Sequence, residues 1–276
     1  MKSFIWIFAF LLTLSAAVYQ RLTGPTYPVK TEIDTGMEKF PVKLPRSFGG
    51  PENCPIVIKI SDITVQGYLQ YRKFPTHDTL TKVDFKREGD QIVALLPNQP
   101  PAGKLEYQVH LEKAGKPVSI SPAKPIVIRF KGDVPATVLI PHIFLMFLAM
   151  LFSNAAGILA LFKLPSYKTV SVITLIIIVI GGFILGPIVQ KYAFNEWWAG
   201  IPYGWDLTDN KTMIAIFAWL VALVMLKSEN SRMWVIAAAL VTIAIFSIPH
   251  SLFGSQLDQE SGKIIQGSIL PYLQLF

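Results

Sequence analysis

Two periodicities divide this chain. Between about residues 40 and 131 apolar and polar positions alternate with a period of two, most cleanly in Leu105-Glu-Tyr-Gln-Val-His-Leu-Glu112, the pattern of a strand with one buried face. On either side the alternation gives way to unbroken apolar runs over 4–20 and about 138–162, 169–190, 212–226 and 233–249, none containing Asp, Glu, Lys or Arg. Water can solvate the first kind of segment. The second kind needs hydrocarbon, and a helix of roughly 17–25 such residues spans it.

The first run follows Lys2 and predicts a helix that either anchors the chain or is removed as a signal segment; Ser15-Ala16-Ala17 supplies a small-residue cleavage pattern. Its long aromatic-rich core favours an uncleaved anchor over residues 1–21. The other four runs predict a four-helix bundle within 137–250. Their connectors Lys163-Leu-Pro-Ser-Tyr-Lys168 and Lys227-Ser-Glu-Asn-Ser-Arg232 are short and basic, so the positive-inside rule assigns them to the cytoplasm. The alternating region, the loop 191–211 and the segment 251–276 then lie outside, which in a double-membraned cell means the inner membrane with a periplasmic domain.

Within the alternating region, strands are expected over 55–60, 64–72, 81–87, 91–96, 105–112, 117–120 and 125–130, separated by turn signals such as Glu88-Gly-Asp90 and Ala114-Gly-Lys116. About seven short strands at such spacing predict an antiparallel β-sandwich over 51–136, the size of an immunoglobulin-like or fibronectin-like module. The likeness is architectural, because no Cys/Trp/Cys signature is present. Residues 22–50, rich in Pro and ending in Gly49-Gly50, read as an extended lead-in. The expected fold class is therefore an α+β membrane protein: anchor helix, extracytoplasmic sandwich, four-helix bundle.

Composition agrees, with 52% apolar and 16% charged residues against the roughly 25% charge of a soluble domain. The net charge of +7 is scattered through the alternating half and not gathered into a basic stripe, so nucleic acid is not an expected partner. Anionic lipid headgroups attract the same charge. Cys54 is the sole cysteine, which excludes an intrachain disulfide.

Candidate chemistry clusters near the outer ends of the spans. His142, Met146 and Met150 recur at i, i+4 and i+8, placing an imidazole and two thioethers on one helix face about 6 Å apart in rise, a soft set suited to copper(I). His250 ends the last span on the same side as His142, and two histidines on different helices at one depth can ligate a b-type haem. The loop Tyr192-Ala-Phe-Asn-Glu-Trp-Trp-Ala-Gly-Ile-Pro-Tyr-Gly-Trp-Asp-Leu-Thr-Asp209 is dense in aromatic side chains, which anchor at headgroups, and adds Glu196, Asp206 and Asp209 as a polar cluster. Asp209-Asn210 are expected to cap the fourth span. Asn154 is expected to hydrogen-bond across helices, and His110 and His77 to be exposed.

These residues support three expectations. The first is a non-enzymatic accessory or scaffold subunit, in which the sandwich recruits a periplasmic partner and the bundle docks in a membrane complex. The second is a haem- or copper-binding protein using His142 and His250. The third is a small permease or membrane enzyme acting through Glu196, Asp206 and Asp209.

Overall fold

The structure is a computed structural model that describes residues 2–34, 39–120, 124–250, 252 and 254–265. The chain is α+β and forms two compact units. One is helical, from residues 2–25 and 134–255; the other is built of strands, from residues 26–133 and 256–265.

In the helical unit, α1 (Lys2–Thr23), α2 (Ala136–Leu161), α3 (Tyr167–Ile178), a π-helical segment (Val179–Ile184), α4 (Leu185–Phe194), α5 (Leu207–Val224) and α6 (Ser231–Ser247) follow one another. Among the described residues, the stretches Ser3–Thr23, Ala136–Leu161, Tyr167–Phe194 and Leu207–Lys227 are long and apolar enough to cross a membrane. The helix α6 has 17 residues, about 25 Å of rise, near the lower limit for a span. It ends at Ser247 and not at the expected 249, because Pro249 has no N–H with which to continue.

Exposed apolar side chains define the outward faces: Phe4, Ile7, Phe8, Leu11 and Leu14 on α1, and Ile214, Phe217, Val221 and Val224 on α5. Inward faces are built from small residues. Ile5, Ala9, Thr13 and Ala16 of α1 are buried, as are Ala149, Ala155, Ala156 and Ala160 of α2. A methyl added at Gly157 would lie 2.6 Å from the Ala239 Cβ of α6, so α2 and α6 approach as closely as their backbones allow. The Asn154 amide donates to Thr13 Oγ1 at 2.9 Å, and that hydroxyl donates to the Ala9 carbonyl at 2.8 Å; this is the expected interhelical bond.

The π segment contains Gly181-Gly182 and precedes Pro187. A proline lacks an N–H and crowds the carbonyl four residues earlier, here Phe183, and the wider π turn relieves both. The third span is therefore continuous through the Gly-Pro signal.

The strand unit contains β1 (Val29–Asp34), β2 (Lys39–Leu44), β3 (Ser47–Gly49), β4 (Cys54–Lys59), β5 (Val65–Lys73), β6 (Thr81–Asp84), β7 (Lys86–Glu88), β8 (Gln91–Leu96), β9 (Lys104–Lys113), β10 (Lys116–Ile120) and β11 (Ile126–Lys131), plus the short pair β12 (Gln256–Leu257) and β13 (Ile264–Ile265). The main sheet runs β2-β1-β10-β9-β11-β3, with β5 along the other side of β9 and β6 beyond it; β4-β8-β7 form a second sheet. Pairing is antiparallel except between β11 and β3. Residues 29–49, read from the sequence as a lead-in, are thus three strands of this unit.

One buried cluster draws on both sheets. Leu105, Tyr107, Val109 and Leu111 alternate inward along β9 and share it with Leu69 of β5, Ile56 and Ile58 of β4, and Ile92, Ala94 and Leu96 of β8. The reverse from β9 to β10 turns through Ala114 and Gly115, both at positive φ, which suits the right-handed twist of a hairpin.

The polar face of β9 departs from expectation. Glu106 is buried and paired with Arg72, and Lys104 is buried with its ammonium donating to Gln256 Oε1 at 2.9 Å. Leu257 N–H donates to the Ala102 carbonyl, so the β12 segment covers this end of the strand. His110, expected to be exposed, is half-buried and stacks on Tyr68 with ring centroids 4.9 Å apart.

Two measurable properties follow from burial here. Desolvation pushes the Cys54 thiol up to about 12. The native protein is expected to resist maleimide at pH 8 and to label fully once denatured; labelling of folded protein at a free-thiol rate would contradict the packing. Desolvation, aided by the Arg129 charge, pushes Lys104 down to about 7 from an ordinary 10.5. The unfolded chain then holds the extra proton between those values, so the strand unit is expected to gain stability as pH rises from about 7 toward 10.5. Thermal unfolding of Lys104→Met should show a flatter rise over that window than the parent.

Candidate functional site

The candidate residues gather at one end of the helical unit, where α1, α4 and α6 finish and α2 and α5 begin. His142 lies in the second turn of α2, and its Nδ1 is 2.8 Å from the Gly181 carbonyl oxygen in the π segment. The carbonyl can only accept, so Nδ1 carries the proton and Nε2 is left with its lone pair. The absence of a side chain at Gly181 and Gly182 lets Met146 settle over both; its sulfur would be 3.4 Å from a Cβ at either position. Met150 lies further along α2, buried in the apolar core. The expected stripe therefore divides, with His142 and Met146 against the π segment and Met150 in packing.

Lys211 is the residue that sequence reasoning missed. It lies within α5, is 1% exposed, and donates from Nζ to the Ile248 carbonyl at 2.7 Å. Gln20 Nε2 of α1 donates to the Phe246 carbonyl and, at 3.3 Å, to that of Ile248. The last carbonyls of a helix have no partner within it and carry its negative end. Here an ammonium and an amide from two neighbouring helices satisfy those of α6. A scan for uncharged runs stops at Lys211 and assigns it to the loop. Asp206-Leu-Thr-Asp209 is the available signal, a capping pattern that starts the helix at 207 and draws Lys211 inside.

His250 follows two residues after Ile248 and keeps an accessible face. The protein packed around it, with the Lys211 charge and the His142 imidazole near, disfavours its protonation. His250 is therefore within electrostatic reach of His142 and of the buried Lys211 ammonium.

The carboxylates have other partners. Asp206, and not Asp209, is the N-cap of α5; its Oδ1 accepts from the Thr208 and Asp209 amides. Asp209 faces the preceding loop, where its Oδ2 accepts from the Ala199 N–H at 2.6 Å. Asn210 Oδ1 accepts from the Ile201 N–H at 2.9 Å. A Cβ at Gly200 would be 2.8 Å from both Asn210 Oδ1 and Asp209 Cβ, so only glycine permits this contact. Glu196, earlier in the loop, is half-buried.

Chemically, the cluster offers an imidazole at His142 oriented by the Gly181 carbonyl and a buried ammonium at Lys211 held by the Ile248 carbonyl. Asp206 Oδ1 and Asp209 Oδ2 are engaged by backbone amides of the first turn of α5 and of the preceding loop. Among the described residues no three His, Cys, Asp or Glu side chains form a group able to hold a metal ion. No protein-family model, curated protein or solved structure matches this chain.

Proposed function

We propose that this protein is a multi-span subunit of a larger membrane assembly, one that holds a two-layer β domain on the extracytoplasmic side for a partner protein to dock against. The observation that carries this reading is the use made of the polar groups at the loop end of the bundle. Lys211 and Gln20 cap α6, Asp206 caps α5, and Asp209 and Asn210 pin the loop. Side chains so engaged serve to fix a rigid scaffold.

Several features support the finer points. The first helix reads as a retained anchor, since its Thr13 and Gln20 satisfy polar groups of α2 and α6 that would otherwise lie bare in hydrocarbon. The basic connectors 163–168 and 227–232 favour a cytoplasmic location for those turns, with the strand domain in the periplasm of an inner membrane. On the outward face of β4 and β8, Pro55, Val57 and Leu95 are exposed where alternation would ordinarily place polar residues, and Pro55 pairs with Leu95 in register. A photoreactive residue at Val57 or Leu95 is expected to crosslink one extracytoplasmic protein in intact cells. Crosslinking confined to lipid, or absent at both positions, would overturn the proposal.

A second reading is favoured by one contact. The Nδ1–H of His142 on a backbone carbonyl is the arrangement that orients metal-binding imidazoles, and it leaves Nε2 for haem iron or copper. A Soret band or stoichiometric copper in purified protein, lost in His142→Ala, would establish this reading in place of the first.

A further inference from the structure

The loop joining α4 to α5 combines an ordered backbone with exposed rings. Trp197, Trp205 and Tyr203 are 58%, 72% and 79% exposed, and Tyr192 and Ile201 are exposed beside them. Yet the backbone beneath is tied down internally. Asp209 takes the amide of Ala199, and Asn210 takes that of Ile201. The Gly200 carbonyl accepts from Tyr203 and Gly204, the Ala199 carbonyl accepts from Asp206, and the Lys191 carbonyl accepts from Asn195. The indole N–H of Trp198 donates to the Ile201 carbonyl.

A loop destined for water has no need of such bookkeeping, because water would satisfy those groups. Where water is scarce an unpaired amide costs several kcal/mol, and irregular backbone persists only when paired. The surface is also continuous with the lipid-facing one. Trp198 meets Phe183 edge-on with centroids 5.7 Å apart, and Phe183 and Ile184 are exposed apolar side chains of the membrane-spanning stretch Tyr167–Phe194. Lys191 lies with its ammonium 6.0 Å from the Trp197 ring, a cation carried at the end of the same helix.

We infer that residues 195–205 lie in the headgroup–acyl boundary of the bilayer, their Trp and Tyr rings seated among phospholipids, and that the occupant of this surface is lipid. Indole and phenol rings favour that layer because one end of each is apolar and the other polar. The loop then acts as a collar that fixes the depth of α5 and of the capped cluster behind it. This inference rests on the membrane-spanning reading and is independent of any partner.

The test uses the full chain with an environment-sensitive fluorophore on Tyr203→Cys or, separately, Trp205→Cys. The sole native thiol, Cys54, is buried and stays unlabelled. The labelled protein is reconstituted into phosphatidylethanolamine–phosphatidylglycerol nanodiscs containing lipids spin-labelled at shallow or deep acyl positions. Both sites are expected to emit to the blue of the free probe and to lose most of their intensity to the shallow quencher, with less lost to the deep one. A label on Phe217→Cys, within α5, should show the opposite depth order. Water-like emission at 203 and 205 with normal quenching at 217 would overturn the collar, and so would blue-shifted emission that neither quencher reduces, since that means protein covers the loop. Loss of quenching at 217 as well would instead remove the membrane-spanning reading.

Discussion

Replacing Asp209 by alanine is expected to release the 195–205 loop and to destabilise the helical unit by about 2 kcal/mol. The carboxylate accepts from the buried Ala199 N–H, and a hydrogen bond to a charged acceptor contributes roughly 1.5–3 kcal/mol. Alanine leaves that amide without its partner in a buried position where water does not readily replace it. Asp209→Asn keeps one acceptor oxygen and should fall between parent and alanine variant. The measurements are thermal unfolding in mild detergent and protease nicking within 195–205. Parent-like unfolding together with an uncut loop in Asp209→Ala would show that the loop is held by something else.

In the strand unit the largest effect is expected at Gly67. A Cβ there would fall on the His110 carbonyl oxygen and 2.5 Å from Leu111 Cδ2. Gly67 is opposite Leu111 in the β5–β9 pairing, the longest in the unit, so backbone must move in two strands at once. Overpacking in a core costs about 1–3 kcal/mol, and a clash with backbone, which cannot change rotamer, belongs at the upper end. Gly67→Ala should therefore lower the strand unit's unfolding midpoint by far more than Gly89→Ala. At Gly89 a Cβ meets nothing within 4 Å, although its φ of +63° keeps that change from being neutral. Equal midpoints would contradict the close approach.

Much of the fold was legible because burial imposes a period. The alternating Leu105–Glu112 segment is β9, and the expected strands at 55–60, 64–72 and 91–96 match β4, β5 and β8 within a residue or two. Expected strand 81–87 divides at Phe85 into β6 and β7, which serve different sheets. The strands in 29–49 escaped because prolines read as punctuation. Pro41 lies within β2, the end strand of the main sheet, where one backbone edge has no ladder to complete. The polar face of β9 looked solvated because its cover, residues 256–257, is about 150 positions away in sequence, beyond the reach of any local pattern.

At the candidate site, position along the spans was legible and partnership was not. His142, Met146, Asp206 and Asp209 all lie at the loop end, as their positions at span ends required. Their contacts are with backbone atoms of Gly181, Thr208 and Ala199, which carry no side-chain signature in a sequence. Lys211 shows the same limit in sharper form. A charge ends an apolar run by definition, yet four methylenes and one helix C-terminus suffice to bury it.

The central claim, that these polar groups brace a scaffold which works through a partner, is tested most directly by native mass spectrometry of complexes ejected straight from membranes. The account predicts this chain in stoichiometric association with a second polypeptide, without added haem or copper mass. The chain emerging alone, or with one haem or copper ion that His142→Ala removes, would contradict it.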